Sequence, residues 1–443
     1  MKHYDKAILI ENGRIIDPLT GLDDTGDLFI RDGKIAWLSK PETTPIKVDH
    51  QVINAAGLVV CPGFIDLHCH LRQPGYERKE TIATGTQAAA KGGFTTICAM
   101  PNTDPPVDSA DTVRYVLNTA GREGTVRVLP IACITRQRQG KELVDMAALA
   151  GAGAVAFSDD GSPVINDDIM AAALKNSRTT GLPIIDHCEN TGLSEGWDMN
   201  GGETARLLGL RGMPDGSEES MIERDIRINR DIGGVLHIAH VSTAASVSLI
   251  RRAKKDGVRM TAEVTPNHLT LDDGTVKTAG NNAKVNPPLR SHKDIEALIE
   301  GLLDNTIDII ATDHAPHTAA DKSGNFATAA FGISTLETAL GSLMGLVHSN
   351  AIPLKTLISK LTVAPSGLLA GRPGVTCSLT VGTAADITLF DPDLNWVVDI
   401  DKFISKGKNT PLAGTTLRGK VMWTIYRGRV VYRDDAAKPE MKG

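Results

Sequence analysis

The 443-residue sequence lacks the features of several protein classes. It has no excess of basic residues, since 47 Lys and Arg stand against 53 Asp and Glu, a net charge of −6. This balance argues against a nucleic-acid-binding role driven by overall basicity. No run of 18 apolar residues occurs, which argues against a membrane-spanning helix. The N-terminus also lacks an apolar segment followed by a small-residue cleavage site.

Paired cysteines and aromatic residues are also scarce. The six cysteines form no C-x-x-C motif, and they lie at positions 61, 69, 98, 133, 188 and 377. Without a secretion signal, this pattern predicts a reduced, cytoplasmic protein. Aromatic residues make up only 4%, whereas there are 43 Gly and 22 Pro. Such a composition suits many short strands and tight turns better than long helical rods.

Both ends of the chain are rich in short β-prone runs. Asn12-Gly13 and Asp32-Gly33 lie between such runs near the N-terminus and predict two-residue hairpins. Because neither end can bury a core alone, we expect residues 1–62 and 365–443 to pair into one small β-sandwich domain.

Residues 63–364 alternate between apolar β-prone runs and helix-like segments. The eight runs are Phe64–Leu67, Phe94–Ala99, Val126–Ala132, Ala154–Phe157, Pro183–Asp186, Val235–Ala239, Val258–Ala262 and Ile307–Ala311. Near-continuous apolar strands separated by helices predict an α/β fold with a parallel sheet buried on both faces, and eight of them fit a (β/α)8 TIM-like barrel. An open, doubly wound sheet is the alternative. Its dinucleotide-binding form is disfavoured because no G-x-G-x-x-G follows the first strand.

The most specific local motif is Asp66-Leu67-His68-Cys69-His70, at the end of the first predicted barrel strand. Residues i and i+2 of a strand share a face, so His68 and His70 project together. Two neutral imidazoles on one face suit Zn²⁺. An isolated H-x-H is nevertheless common, and alone it is more often structural than metal-binding.

Residues of metal-ligand type follow four other predicted strands, namely Asp160, His187, His240 and Asp313. In a barrel the carboxyl ends of all strands open on one face, where catalytic groups lie. Taken singly, each has an ordinary interpretation: a helix N-cap for Asp160, a turn for Asp313, and core burial for the two histidines. Taken together with the H-x-H motif, they predict a metal site. Three further histidines are expected to be structural: His237, His268 and His314.

Six ligands, one of them a carboxylate able to bridge, suit two metal ions about 3.5–4 Å apart. Such a pair lowers the pKa of a shared water toward about 7 and polarises a carbonyl oxygen. A nearby carboxylate can then move a proton to a leaving nitrogen, and Asp313 is the candidate. The predicted reaction class is hydrolysis, or its reverse, at an amide or imide.

Other polar residues near the strand ends are candidates for substrate binding. Arg72 lies two residues past His70, where a guanidinium would clamp a carboxylate. Asn102 ends the second strand, Asn286 and His317 follow later strands, and Phe331-Gly332 offers backbone groups. From sequence position alone, Arg72 could equally be a solvated surface arginine and Asn102 an ordinary turn residue.

Several segments together resemble the class I dihydroorotases of the amidohydrolase superfamily. These segments are Pro62–Arg72, Gly92–Thr103, Phe157–Gly161, His240–Thr243, Thr261–Pro266, Asn286–Arg290, Ala311–His317 and Ser405–Pro411. The resemblance covers nearly the whole chain and implies a (β/α)8 barrel with a β-sandwich built from both termini.

The resemblance implies zinc-dependent, reversible cyclisation of N-carbamoyl-L-aspartate to (S)-dihydroorotate in pyrimidine (UMP) biosynthesis. It assigns one zinc to His68, His70 and Asp313 and the other to His187 and His240. Asp160 and a hydroxide would bridge the two ions, with the hydroxide as nucleophile and Asp313 as proton shuttle. The implied substrate contacts are His70, Arg72, Asn102, Asn286, His317, Phe331 and Gly332.

Three positions depart from the family pattern: Gln73, Asn267 and Ala330 stand where Glu, His and Pro are usual. None of them is a proposed ligand. The resemblance leaves a homodimer and a complex with aspartate carbamoyltransferase open, and no nucleic-acid or membrane partner is expected.

Two alternatives remain beside this interpretation. Hydantoinases, dihydropyrimidinases and allantoinases usually bridge their metals with a carboxylated Lys on strand four, but Phe157-Ser158-Asp159-Asp160 offers no Lys. A catalytically silent homologue, kept as a scaffold for a partner, should have lost metal ligands, yet all six positions are filled.

Overall fold

The computed structural model describes residues 7–39, 48–369, 372, 374–437 and 441–442. The strands are β1 (Ala7–Asp17), β2 (Leu22–Arg31), β3 (Lys34–Ser39), β4 (His50–Asn54), β5 (Val59–Pro62), β6 (Phe64–Cys69), β7 (Phe94–Ala99), β8 (Arg127–Ala132), β9 (Ala156–Phe157), β10 (Ile184–Asp186), β11 (Met199–Asn200), β12 (Gly212–Met213), β13 (Leu236–Ile238), β14 (Met260–Val264), β15 (Ile309–Ile310), β16 (Ile387–Val397), β17 (Thr416–Tyr426), β18 (Arg429–Arg433) and β19 (Met441–Lys442).

The α-helices are α1 (Ile82–Lys91), α2 (Ala110–Glu123), α3 (Met146–Ala152), α4 (Asp167–Thr180), α5 (Thr191–Ser194), α6 (Glu203–Leu208), α7 (Gly216–Ile232), α8 (Ala244–Lys255), α9 (Pro266–Thr270), α10 (Val276–Ala279), α11 (His292–Leu303), α12 (Ala339–His348), α13 (Leu354–Leu361) and α14 (Val363–Leu368).

Eight parallel strands form a nearly closed barrel in the order β6, β7, β8, β9, β10, β13, β14, β15. The last strand returns to the first, because the backbone N–H of His70 donates to the carbonyl of His314 at 2.9 Å. The buried Asp66 carboxylate strengthens this seam by accepting from the backbone N–H of Thr312 at 2.8 Å. The predicted barrel is therefore confirmed, and each of the eight predicted runs overlaps one barrel strand.

Burial on both faces explains why the barrel strands appear in the sequence as continuous apolar runs. All six residues of β6 and all six of β7 are buried. One core joins strands to the surrounding helices and includes Phe64 and Leu174. A second core gathers side chains from across the barrel, among them Ile65, Ile131 and Ile309. Since each buried aliphatic or aromatic side chain contributes roughly 1.5–3 kcal/mol, these cores hold the strand ends in place.

Strands from both ends of the chain form a nine-stranded mixed sheet. Its main path is β18, β17, β16, β5, β1, β2, β3, while β4 pairs with β1 and β19 with β4. The central β5 runs parallel to β1 and antiparallel to β16. Ile10 and Leu28 from one end share a core with Leu389 and Trp423 from the other. The expectation that the two ends of the chain pair with each other is confirmed, and hydrogen bonds connect their strands into one continuous sheet.

One of the two predicted hairpin turns is wrong. Asp32-Gly33 does join β2 to β3, with φ of 54° and 75°. Asn12-Gly13 instead forms a β-bulge inside the unbroken strand β1. A Cβ on Gly13 would lie 2.5 Å from Val60 Cγ2, so glycine serves the close approach of β5 here rather than a turn.

The segment between β10 and α7 was not predicted. It contains α5, α6 and a two-stranded parallel sheet of β11 and β12. Across the described ranges, no helix is both long and apolar enough to cross a membrane.

Candidate metal centre and substrate pocket

All six predicted ligand side chains lie together at the carboxyl end of the barrel. His68 belongs to β6 and His70 directly follows it, while the other four come within three residues of the ends of β9, β10, β13 and β15. Each of the six is at most 6% exposed. The structure therefore encloses a cluster of four imidazoles and two carboxylates.

Asp160 lies at the centre of this cluster. Its Oδ1 is 3.4 Å from His68 Nε2, 3.5 Å from His187 Nδ1 and 3.5 Å from His240 Nε2. Its Oδ2 is 3.6 Å from His70 Nε2. One carboxylate thus faces all four imidazoles.

Asp313 occupies one side of the cluster. Its Oδ1 lies 3.0 Å from His70 Nε2 and 3.5 Å from His68 Nε2. On the opposite side, His187 Nδ1 and His240 Nε2 approach to 2.8 Å. Two imidazole nitrogens at that distance cannot both carry a hydrogen, so at least one of them has a lone pair.

The separations around Asp160 fit metal ligands better than hydrogen bonds. Two atoms that each lie about 2.0–2.1 Å from a tetrahedral ion are roughly 3.3–3.4 Å apart, whereas N–H···O hydrogen bonds measure about 2.7–3.2 Å. His68 Nε2 and Asp160 Oδ1 are buried and have no hydrogen-bond partner among the described residues. Two sets of ligand atoms are close enough to share an ion: His68–Asp160–His240 and His68–His70–Asp313. The cluster has the composition and spacing of a metal site.

Glu263 in β14, which no sequence motif pointed to, orients His68. An ionised carboxylate only accepts hydrogen bonds, so His68 Nδ1 donates to Glu263 Oε1 at 2.7 Å and leaves Nε2 for the centre. The other oxygen accepts from His237 Nε2 at 3.1 Å. Burial would raise the pKa of Glu263, but the hydrogen bonds from His237 and His68 hold it well below its usual value. The sequence did offer one indication of this role, because Glu263 is the single acidic residue in an otherwise largely apolar strand.

Two other ligand histidines are held through their second nitrogen. His70 Nδ1 lies 2.9 Å from Asn102 Oδ1, an acceptor, so His70 Nε2 is left for the cluster. His187 Nε2 donates to Glu189 Oε2 at 3.0 Å, which leaves Nδ1. Glu189 was also missed from the sequence. Three of the four histidines therefore have the tautomer that metal binding needs.

The charge of the cluster follows from these contacts. Burial would raise the pKa of Asp160, but His68, His187 and His240 hold it well below its usual value. Asp313 likewise has a lowered pKa, because His68 and His70 outweigh the effect of burial. Both carboxylates are ionised at neutral pH, as metal ligands must be.

Three site residues adopt the left-handed backbone conformation that usually favours glycine. The φ angles are 59° for Arg72, 33° for His240 and 44° for Asp313. Such conformations cost on the order of 1–3 kcal/mol each and persist where surrounding contacts impose them. Asp66 supplies such a contact next to Asp313, since its carboxylate accepts from both the N–H and the hydroxyl of Thr312.

A cavity of about 260 Å³ opens beside the ligand cluster. Its walls include every predicted substrate-binding residue: His70, Arg72, Asn102, Asn286, His317, Phe331 and Gly332. Sequence position alone did not show whether Arg72 and Asn102 were surface residues or binding residues. The structure places both in one pocket.

The pocket presents both donors and an acceptor. Arg72 is half-buried, and burial lowers its pKa to about 10, so its guanidinium stays charged at neutral pH. Asn102 accepts through Oδ1 from His70, which leaves its amide N–H groups as donors. Asn286 donates through Nδ2 to Glu189 Oε2 at 2.8 Å, and its buried Oδ1 has no partner among the described residues.

Gly332 contributes a wall rather than a free backbone donor. Its N–H already donates to the carbonyl of Lys284 at 2.9 Å, and its carbonyl accepts from Lys322 Nζ at 3.0 Å. The neighbouring Phe331 ring packs on Trp197 with a centroid distance of 4.6 Å. The unpredicted segment between β10 and α7 thereby supports the pocket.

The remaining histidines of interest lie outside the ligand cluster. His268 bonds to the Thr265 hydroxyl and the Pro287 carbonyl, and His314 Nδ1 accepts from the Thr335 N–H. A third group with ligand-type atoms, Asp186–Cys188–Asp225, is buried against Arg224, which supplies its positive charge.

Comparisons with known proteins agree with this geometry. Residues 57–246 match the family model described as dihydro-orotase-like. The chain is 46% identical over 97% of its length to the dihydroorotase of Syntrophus aciditrophicus, and it covers 100% of that protein. It is 48% identical to the dihydroorotase of a Thermoanaerobacter species, covering 97% of this chain and 98% of the relative.

Hydantoinases and a dihydropyrimidinase are among the solved structures with the same fold. The L-hydantoinase of Arthrobacter aurescens superposes with a TM-score of 0.88 at 25% identity, over 98% of both chains. The dihydropyrimidinase of Brevibacillus agri has a TM-score of 0.80 at 21% identity, over 96% of this chain and 95% of that one. This second similarity supports a shared fold only.

Proposed function

The chain belongs to the dihydroorotase family, and we propose that it catalyses the reversible cyclisation of N-carbamoyl-L-aspartate to (S)-dihydroorotate in pyrimidine biosynthesis. The observation that carries this proposal is the pairing of a buried His₄Asp₂ cluster with an arginine-bearing pocket in one cavity. The cluster suits activation of water, and the arginine suits a substrate that keeps a carboxylate throughout the reaction.

The residues present fit a pair of zinc ions. We assign His68, His70 and Asp313 to one ion, His187 and His240 to the other, and Asp160 to both, because Asp160 Oδ1 and Oδ2 face different histidines. Bound zinc supplies a water-derived nucleophile at neutral pH and polarises the carbonyl under attack.

Asp313 is the proposed proton shuttle. In the hydrolytic direction its carboxylate accepts the proton of the attacking water and delivers it to the ring nitrogen as the C–N bond breaks. In the direction of ring closure it takes a proton from the ureido nitrogen and returns it to the oxygen that leaves as water. Asp313 Oδ1 lies 3.0 Å from His70 Nε2, which keeps this carboxylate beside the ligand cluster where the proton would be moved.

The pocket residues provide complementary partners for the rest of the substrate. Arg72, Asn102 and His317 would bind the carboxylate that both substrate and product keep. The unpartnered Oδ1 of Asn286 would accept from a substrate N–H. The Phe331 and Gly332 wall closes a cavity of about 260 Å³, a volume suited to a small ligand.

A spectrophotometric assay with dihydroorotate tests this function. We expect turnover that a chelator abolishes and added zinc restores. A hydantoinase-type cyclic amidohydrolase is the alternative, since hydantoinases share the fold. An uncharged hydantoin turned over as well as dihydroorotate would favour that alternative, and a zinc-loaded protein inactive on every cyclic amide would favour a silent scaffold.

Three further properties are proposed from the family and the strand pairing. They are a cytoplasmic location, assembly as a homodimer or with aspartate carbamoyltransferase, and division into a terminal domain (1–62 and 365–443) and a barrel domain (63–364). The pairing of β5 with β16 supports the terminal domain.

A further inference from the structure

Lys79 contacts His317, one of the residues that line the pocket. Its Nζ lies 3.3 Å from His317 Nδ1. On the opposite edge of the same ring, His317 Nε2 lies 3.4 Å from Arg72 Nη2. One imidazole is therefore held between two cations, and both cations can only donate hydrogen bonds.

The surroundings keep the imidazole neutral. Burial and the charges of Arg72 and Lys79 lower the pKa of His317 to about 3, although Asp321 opposes them. A neutral ring carries one N–H and one lone pair, so it can accept from only one of its two cationic neighbours. The question is which nitrogen keeps the hydrogen.

The contacts of Nδ1 decide this. The rival partner for a hydrogen on Nδ1 is Asp321 Oδ2, but it lies 3.8 Å away. That oxygen also accepts from the N–H and the hydroxyl of Thr318 at 2.9 and 2.7 Å. Lys79 Nζ lies 3.7 Å from the same Asp321 oxygen but only 3.3 Å from His317 Nδ1, and as a donor it needs a lone pair on Nδ1 for this shorter contact. The hydrogen therefore stays on Nε2, and the approach of Arg72 to Nε2 is a meeting of two donors rather than a hydrogen bond.

We propose that Lys79 is a positioning residue that fixes His317 as the Nε2–H tautomer, so that His317 and Arg72 present two N–H donors side by side to one carboxylate. This inference deepens the proposed function and rests on it for the identity of the anion. Two donors 3.4 Å apart are unfavourable in an empty pocket and become favourable once a carboxylate oxygen accepts from both. Lys79 thus selects for a substrate with an anionic group at this position.

The test compares three variants of the zinc-loaded enzyme. Lys79→Met removes the donor and the charge, Lys79→Arg keeps both, and Arg78→Met removes the same charge from the exposed neighbour. Ring-¹⁵N-histidine NMR without substrate reports the tautomer, with the His317 signals assigned by their loss in His317→Asn. We expect wild type, Lys79→Arg and Arg78→Met to show hydrogen on Nε2 only, and Lys79→Met to show a mixture of both tautomers.

Kinetics with dihydroorotate give the second readout. An even tautomer mixture alone doubles the apparent Kd, and loss of a partly exposed charge adds roughly twofold to fivefold. We therefore expect Lys79→Met to raise KM by roughly fourfold to tenfold with kcat nearly unchanged, because uniform binding is lost. Arg78→Met should change KM by less.

Hydrogen on Nδ1 of His317 in the wild type, or a single Nε2–H tautomer that persists in Lys79→Met, would overturn the inference. So would equal KM increases in Lys79→Met and Arg78→Met, which would indicate charge alone. A wild-type enzyme with no dihydroorotate turnover would instead overturn the proposed function, and the NMR result would still decide the role of Lys79.

Discussion

Glu263 offers a sharp test of the metal centre because it does not line the pocket and its carboxylate contacts the six-residue cluster only at His68. Its carboxylate is fully buried and accepts from His68 at 2.7 Å and from His237 at 3.1 Å. Substitution of such a supporting carboxylate typically lowers metal affinity by about 10–100-fold, which corresponds to roughly 1.4–2.7 kcal/mol.

The structure ranks two substitutions within that range. In Glu263→Gln, the amide oxygen can still accept from His68 while its NH₂ faces His237. His237 can adapt by donating through Nδ1 to the Thr261 hydroxyl, which lies 2.7 Å away. Only the negative charge is then lost, so we expect an approximately tenfold weaker zinc affinity. Glu263→Leu leaves the buried N–H of His68 without a partner, so we expect a loss of zinc affinity close to 100-fold.

Zinc content after dialysis against graded chelator concentrations measures this effect, and thermal unfolding of the metal-free proteins reports folding. Glu337→Gln is the matched control, because the buried Glu337 carboxylate accepts from the backbone of Ile404 and Ser405 and pairs with Lys91 rather than with a histidine of the cluster. Equal zinc retention in wild type, Glu263→Gln and Glu263→Leu would refute the idea that this carboxylate orients a metal ligand.

Three other predictions follow from the same geometry. His187→Ala should reduce bound zinc below the two ions per chain expected of the wild type, as measured by elemental analysis; unchanged zinc would count against the assigned ligands. Arg72→Ala should lower kcat/KM for dihydroorotate roughly 10–100-fold through loss of a charged hydrogen bond while zinc content is retained, and loss of zinc in step with activity would contradict a separate anion clamp. Burial lowers the pKa of His268 to about 4, against about 6.5 in an unfolded chain. The unfolded chain therefore binds more protons between these pH values, and stability is lost as pH falls from about 6.5 to 4. Urea unfolding of metal-free protein should show wild type losing about 3 kcal/mol more than His268→Gln between pH 7 and pH 4, and a pH-independent difference between the two would disprove this.

The sequence by itself determined the barrel and the identity of the cluster. Strands buried on both faces must be apolar along their whole length, so runs such as Phe94–Ala99 stand out without any tertiary information. A barrel then forces all its strand ends to one face, and this rule alone brought His68, Asp160 and His240 together from distant parts of the chain.

Tertiary structure decided what local pattern leaves ambiguous. Asn12-Gly13 has the composition of a hairpin turn, yet the approach of β5 makes it a bulge. Glu263 and Lys79 look like an isolated acid and an ordinary lysine, because a hydrogen-bond partner 195 or 238 residues away leaves no trace in the neighbouring sequence. Hydrogen-bond direction depends on which atoms meet in space, so the histidine tautomers, on which the proposed chemistry depends, can be inferred only from the folded chain.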